Sequence, residues 1–377
     1  MKLFRLIILA LLIIGCQTKK ETPKQEEMKQ EAITTSFFVG TYTDTISKGI
    51  YTYTLSEEGK LKKTGLAAVS NNPSFLTKSF DNNYLLAVNE TNSNNGSGTV
   101  ESFKINGDSL SFISRSSSGG AHPCFVTLNN NGYVLTANYT GGTIGLLKLN
   151  TNGKLSDLLD VQQHTGKGTK KQQKTPHAHA AWFESDNNNI ISVDLGTNEL
   201  WFSKLDTLQH KLQFTSPKTL KVDEGAGPRH LSFHPNGKWI YIINELNSTV
   251  SLLKKNEKNT LEKKSSFSTL PEGYTQDSYC ADIHISSDGK FLYASNRGHN
   301  SLAIFKINIE DGNLQLIEHQ SVKGDWPRNF ALSPDGNYII VANQHSNNLV
   351  SFKRDKNTGK LVFVDEINAP SPVCILF

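Results

Sequence analysis

Cysteine is scarce: four residues in a chain of 377. No Cys-x-x-Cys pair and no Cys/His set at metal-ligand spacing occurs, which speaks against a finger- or ribbon-type metal site; an oxidising compartment would allow an inter-strand disulfide, but nothing in the sequence demands one. Cys124, Cys280 and Cys374 lie far apart in apolar contexts and read as buried free thiols. Charge of one sign is also lacking. Lysine plus arginine total 39 against 35 acidic residues, a formal net charge of +4. Much of that excess sits near the N-terminus and on scattered lysines, so nucleic acid is not expected as a partner. Long hydrophobic runs are missing too, apart from "LIILALLIIG" at 6–15, which is short for a transmembrane helix. No long helical period appears anywhere beyond it.

What is present begins with that N-terminal run. A basic "MKLFR" precedes it and "IIGC" ends it, which resembles a bacterial lipobox. On that resemblance residues 1–16 are a lipoprotein signal peptide, and Cys16 becomes the lipidated first residue of an exported protein anchored to the cell envelope. The lipid would be the only link to a membrane. Residues 17–33, "QTKKETPKQEEMKQEAI", are charged and nearly free of apolar side chains, and read as a flexible tether.

From residue 34 to 377 one pattern recurs: an apolar strand, a Gly/Asn/Asp turn, a second apolar strand ending in Asn or a similar residue, a short loop and a third strand. Copies start at Pro73, Pro123, Ala178, Pro228, Cys280 and Pro327, spaced 50, 55, 50, 52 and 47 residues apart. Short strands at a period near 50 predict an all-β propeller. The first copy, "TTSFFVGTYTDTISKGIYTYTLS", lacks its first strand, whereas the chain ends on a lone strand, "SPVCILF". Pairing Pro372–Phe377 with Ser36–Gly40 closes a ring of seven blades and removes the exposed sheet edge.

The copies also separate blade grammar from its exceptions. The second strand ends in Asn in five of seven copies, an amide suited to bonding turn backbone. The next residue varies, and Glu90, Glu245 and Arg297 are its charged cases. Pro opens the first strand in five of seven copies. The residue after the opener varies as well: Ser74, Cys124, His179, Arg229, Ala281, Arg328 and Val373. One position on stand His230, Asp282 and Asn329, and His177 lies just upstream in "TPHAH". First and second strands are antiparallel, so both variable positions fall on one rim of the central channel. His177, His179, Arg229, Glu245 and Arg297 converge there from three consecutive blades as the candidate catalytic set. His230, Asp282, Arg328 and Glu90 join them as candidate substrate contacts. His234 and His284 read as blade packing, and Asp288 and Asp335 as turn residues. "TGGTIG" at 140–145 follows a strand but opens no helix, so it is not a phosphate loop.

The phrases "FFVGTYT", "PHAH", "VDLG", "GAGPRHLSFHPNG", "YIINELNSTV" and "LYASNRGHNSLAIF" resemble the seven-bladed propeller lactonases. That family includes the propeller type of 6-phosphogluconolactonase and a fungal carboxy-muconate lactonizing enzyme. The resemblance spans 34–377 and implies hydrolysis of a sugar lactone without metal or cofactor. By motif, the His, two Arg and Glu proposed for the lactonizing relative fall on His177 or His179, Arg229, Glu245 and Arg297. A carboxylate or imidazole would activate water, and guanidinium groups would hold the developing oxyanion and any acidic group on the substrate. An exported chain meets no cytosolic phosphogluconolactone, which opens the alternative of another sugar lactone. A non-catalytic binding propeller and a muconate-type cycloisomerase are the other readings the residues allow.

Overall fold

The computed structural model describes residues 34–257 and 260–377. The signal-like segment, Cys16 and the tether lie outside the described residues. Among the described residues there is no helix, and 28 strands form seven four-stranded antiparallel sheets. The innermost strands, in blade order, are Pro372–Leu376, Leu76–Lys78, Pro123–Leu128, Ala178–Phe183, Pro228–Phe233, Tyr279–Ile285 and Pro327–Leu332. Each packs against the innermost strands of the blades before and after it, and the last packs against the first. The ring is therefore closed.

Closure uses the two chain ends as expected. Pro372–Leu376 pairs with Thr34–Thr41, with Val39 opposite Ile375 and Gly40 opposite Cys374. The second strands are apolar runs such as "YVLTAN", "WIYIIN" and "YIIVAN", buried along their whole length. Strands covered on both faces need no polar alternation. Their side chains build apolar layers between every pair of neighbouring blades.

One correction concerns the repeat unit. Each blade has four strands, not three. The fourth is the outer edge, for example Leu261–Ser268 "LEKKSSFS", where exposed and half-buried residues mix. Only part of one face is covered there, so Lys and Ser dilute the alternation that marks a strand.

The recurring Asn residues are structural. Asn138 donates to Ser118 O at 2.9 Å, Asn296 to Thr269 O at 2.8 Å and Asn343 to Val322 O at 3.2 Å. Each pins the connection that enters its own blade. In blade 4 Asp194 takes this place, bonding His177 N at 2.8 Å and His164 Nδ1 at 2.8 Å.

Candidate active site

The rim position after each opener is shaped by a backbone irregularity. In six of seven blades the register between the innermost and second strands slips there: at Pro123/Phe125, Ala178/Ala180, Pro228/His230, Cys280/Ile283, Pro327/Asn329, and opposite Gly40/Thr41. A bulge of this kind leaves one residue outside the ladder and re-aims its side chain. Cys124, His179, Arg229 and Arg328 are such extra residues. In the five Pro-opened blades the preceding residue is left-handed: Asn72, His122, Gly227, Trp326 and Ser371, with φ from 41° to 67°. For Trp326 this is a strained conformation.

These bulges surround a cavity of about 180 Å³ at the channel mouth, lined by Tyr42, Glu90, Cys124, Tyr139, His179, Glu245, Arg297 and Arg328. Every blade contributes at least one of them. Two larger hollows, of 420 and 440 Å³, lie away from the channel, beside blades 4 and 5 and on blade 2. Their cationic residues Lys255 and Arg115 are already paired, with Glu184 and Glu101. Neither gathers groups suited to acid–base work.

One side of the mouth is a clamp. Glu245 Oε2 lies 2.9 Å from Arg297 Nη2 and 3.0 Å from Arg229 Nε, the latter out of line for a hydrogen bond. Arg297 also donates to Tyr279 O at 3.2 Å and Cys280 O at 3.0 Å, and sits 5.3 Å from the Trp326 ring. Arg229 donates to Ala281 O and is buried behind Glu245 without lining the cavity. Burial pushes the Glu245 carboxyl up, but Arg297 and Arg229 outweigh it and hold it below the usual range. Its proton affinity is correspondingly low.

The opposite side is looser. Tyr42 donates to Glu90 Oε2 at 2.8 Å, and Arg328 Nη2 lies 3.7 Å from the same oxygen. The Arg328 guanidinium stands 5.2 Å from the Tyr42 ring. Burial opposes its charge, yet Tyr42 and Glu90 raise its pKa further.

Between the two sides lies His179. Burial, then Arg229 and His230, hold its pKa well below the ordinary value, so the ring is neutral. Its Nδ1 faces Cys124 Sγ at 3.7 Å, and its Nε2 has no hydrogen bond within the described residues. His177 is placed differently. It stacks on Tyr139 at 4.5 Å, bonds Tyr139 O through Nδ1 at 2.9 Å, and does not line the cavity.

His230 and Asp282, expected as substrate contacts, do not line the cavity and form a buried chain in the channel. Asp282 accepts from His230 Nδ1 at 2.8 Å, His284 Nε2 at 2.9 Å and Asn329 Nδ2 at 2.6 Å. Burial raises the Asp282 carboxyl, but His284 and the bond from His230 overcome this and keep it ionised. Burial and Arg229 lower His230 to about 4. Its Nε2 has no hydrogen-bond partner among the described residues. Phe75, Phe125 and Trp182 pack around this ring.

Three cavity residues carry no charge and escape a search for charged exceptions. Tyr139 follows Asn138 at the variable position, Cys124 is a bulge residue, and Tyr42 sits just past Gly40-Thr41. Among the described residues, Cys124, Cys280 and Cys374 are free and buried, as expected. A separate Ser192–His164–Asp194 set has triad-like order, with Oγ–Nε2 3.3 Å and Nδ1–Oδ2 2.8 Å. It is sealed under Trp201, whose ring stacks 4.3 Å from His164, and opens on no cavity. It locks blade 4.

Comparison with known proteins places the fold in context. The family model described as Lactonase, 7-bladed beta-propeller matches residues 36–377. A 6-phosphogluconolactonase of Bacillus subtilis is 35% identical over 346 residues, covering 90% of this chain and 97% of the relative. One from Formosa agariphila is 39% identical, covering 78% and 85%. The structure of the periplasmic gluconolactonase of Pseudomonas aeruginosa superposes with a TM-score of 0.85 at 28% identity, covering 91% and 98%.

Proposed function

This chain belongs to the seven-bladed β-propeller lactonase family, and from that premise we propose that it hydrolyses a sugar lactone in the channel-mouth cavity. The observation that carries the assignment to this cavity is the convergence of all seven blades on one small polar space holding a neutral imidazole and paired charges. His179 is the proton acceptor. Its Nε2 takes a proton from water as the water oxygen bonds to the lactone carbonyl carbon. Charge moves onto the carbonyl oxygen in the positive field of Arg229, Arg297 and Arg328, which Glu245 and Glu90 cancel only in part. The intermediate collapses by breaking the bond to the ring oxygen, which takes the proton back from His179. The net change is addition of one water. Glu245 serves as the counter-charge of the arginines, since its carboxylate is already engaged by both guanidinium groups, whereas His179 Nε2 faces the cavity without a hydrogen bond within the described residues.

The relatives named 6-phosphogluconolactonase favour the 6-phosphate of gluconolactone as substrate. The lipobox-like segment, with the periplasmic gluconolactonase as a structural neighbour, favours the unphosphorylated lactone, and lipidation at Cys16 belongs to that second reading. The test is proton release from δ-gluconolactone and from its 6-phosphate. His179→Gln is expected to lower kcat by about a hundredfold or more, and His177→Gln far less. Hydrolysis of neither lactone above background refutes the function. A stronger effect of His177→Gln refutes the assignment of the base. Turnover of a muconate would favour the cycloisomerase, and ligand binding without turnover the binding propeller. Cys16→Ala is expected to move the protein from membrane to soluble fraction, and unchanged fractionation counts against the anchor.

A further inference from the structure

The site's three arginines differ in how their donors are used. Arg297 donates to Tyr279 O, Cys280 O and Glu245, and Arg229 donates to Ala281 O while its Nε lies 3.0 Å from Glu245. Arg328 makes no hydrogen bond within the described residues. Among the described residues its ion-pair partner within 4 Å is Glu90 at 3.7 Å, and that same carboxylate oxygen already accepts from Tyr42 at 2.8 Å. Yet its side chain is only 16% exposed. A guanidinium carries five donors, and those of Arg328 stay within reach of the open cavity mouth, where an incoming acceptor can meet them. The bulge at Pro327/Asn329 holds this side chain toward the cavity. The clamp is thus a close ion pair, and the Arg328–Glu90 contact is a loose one.

We propose that Arg328 completes its hydrogen bonds with the reacting carboxyl group: first the oxyanion of the tetrahedral intermediate, then the carboxylate of the acid product. This rests on the lactonase reading of the cavity. The planar fork suits two oxygens on one carbon. Glu90 holds the guanidinium in the empty site and competes with the incoming anion for it. Tyr42, fixed by Glu90, forms the wall beside them. Arg328 is then a catalytic residue, while Arg229 and Arg297 act through the field of the clamp. Product release requires the carboxylate to yield Arg328 back to Glu90.

The two partners should therefore respond with opposite signs. Calorimetric titration with D-gluconate, using D-glucitol as the neutral control, measures this directly. Arg328→Gln is expected to weaken gluconate binding by about ten- to a hundredfold and to lower kcat on δ-gluconolactone. Glu90→Gln is expected to tighten gluconate by roughly two- to fivefold. Arg328→Lys, which keeps the charge without the fork, should bind gluconate more weakly than the parent. It serves the test if the Gln variant does not fold. Equal weakening by Glu90→Gln and Arg328→Gln would make the pair merely structural and overturn the proposal. So would loss of 6-phosphogluconate binding with gluconate binding kept, which would mark a phosphate subsite. Gluconate binding that needs Arg328 in a protein without turnover would support the anion site and reject hydrolysis. Turnover of Arg328→Gln at the parent's kcat would reject the anion site and leave hydrolysis standing.

Discussion

Replacing Glu245 by Gln removes one charge and almost no volume. The carboxylate lies 2.9 and 3.0 Å from two guanidinium groups whose side chains are only 6% and 2% exposed. At an effective dielectric constant near 20, a pair at 3 Å is worth roughly 5 kcal/mol before desolvation is counted. Most of that offsets the cost of burying the charges, so the net value of the intact clamp is small. The variant is a different case, because Arg229 and Arg297 stay buried and lose their counter-charge. Breaking one partner out of such a set costs about 3–5 kcal/mol. The propeller's roughly 340 residues, at about 2.1 cal/mol/K each, give an unfolding entropy near 0.7 kcal/mol/K. The melting temperature should therefore fall by about 4–7 °C. Calorimetry in low-salt buffer measures this. Repeating the scan with added phosphate should narrow the gap, because an anion in the cavity replaces the missing charge. A variant that melts within about 1 °C of the parent, with no added dependence on phosphate, would refute the clamp and free Glu245 to serve as the base.

Three further outcomes are expected. His230 is held near 4 in the fold against 6.5 when unfolded, so the unfolded chain binds the extra proton between those values. Stability should fall as pH drops from about 6.5 to about 4, by up to about 3 kcal/mol from this group. His284, whose folded pKa is raised, contributes with the opposite sign, and a His230→Gln variant should lose about one proton's worth of slope in chemical denaturation. Deleting 372–377 opens the ring and bares the Thr34–Thr41 edge, so size-exclusion chromatography and circular dichroism should show aggregation or loss of cooperative unfolding; a stable monomer would contradict closure. Ser192→Ala should leave kcat unchanged while lowering stability by about 1 kcal/mol, and a collapse of kcat at unchanged melting would make the buried set catalytic.

Much of this was legible before any coordinate. Pro openers, terminal Asn residues and Asn-Gly or Asp-Gly turns are local devices, so each copy announces itself without its neighbours. The outer strands were not legible, because a half-covered edge tolerates Lys and Ser at almost any position. The facing of "PRH" was hidden for another reason. Strict alternation separates Arg229 from His230 but does not say which meets the cavity. The bulge at Pro228/His230 leaves Arg229 outside the ladder and sends His230 into the channel with Asp282. The same device brings His179, and not His177, to the cavity.

The sequence by itself determined the number of blades, the pairing of the two chain ends and the rim on which the unusual charges gather. Each follows from a pattern repeated within a span of about 50 residues. Only the tertiary structure decided which of those charges are already matched. Glu245 meets arginines from two blades, whereas Glu90 takes a tyrosine bond from a third part of the ring and only a loose approach from Arg328. Charge compensation depends on distances of a few ångströms, within one blade for Arg229 and Glu245 and between blades for Arg297–Glu245, Tyr42–Glu90 and Arg328–Glu90, and tertiary packing sets those distances.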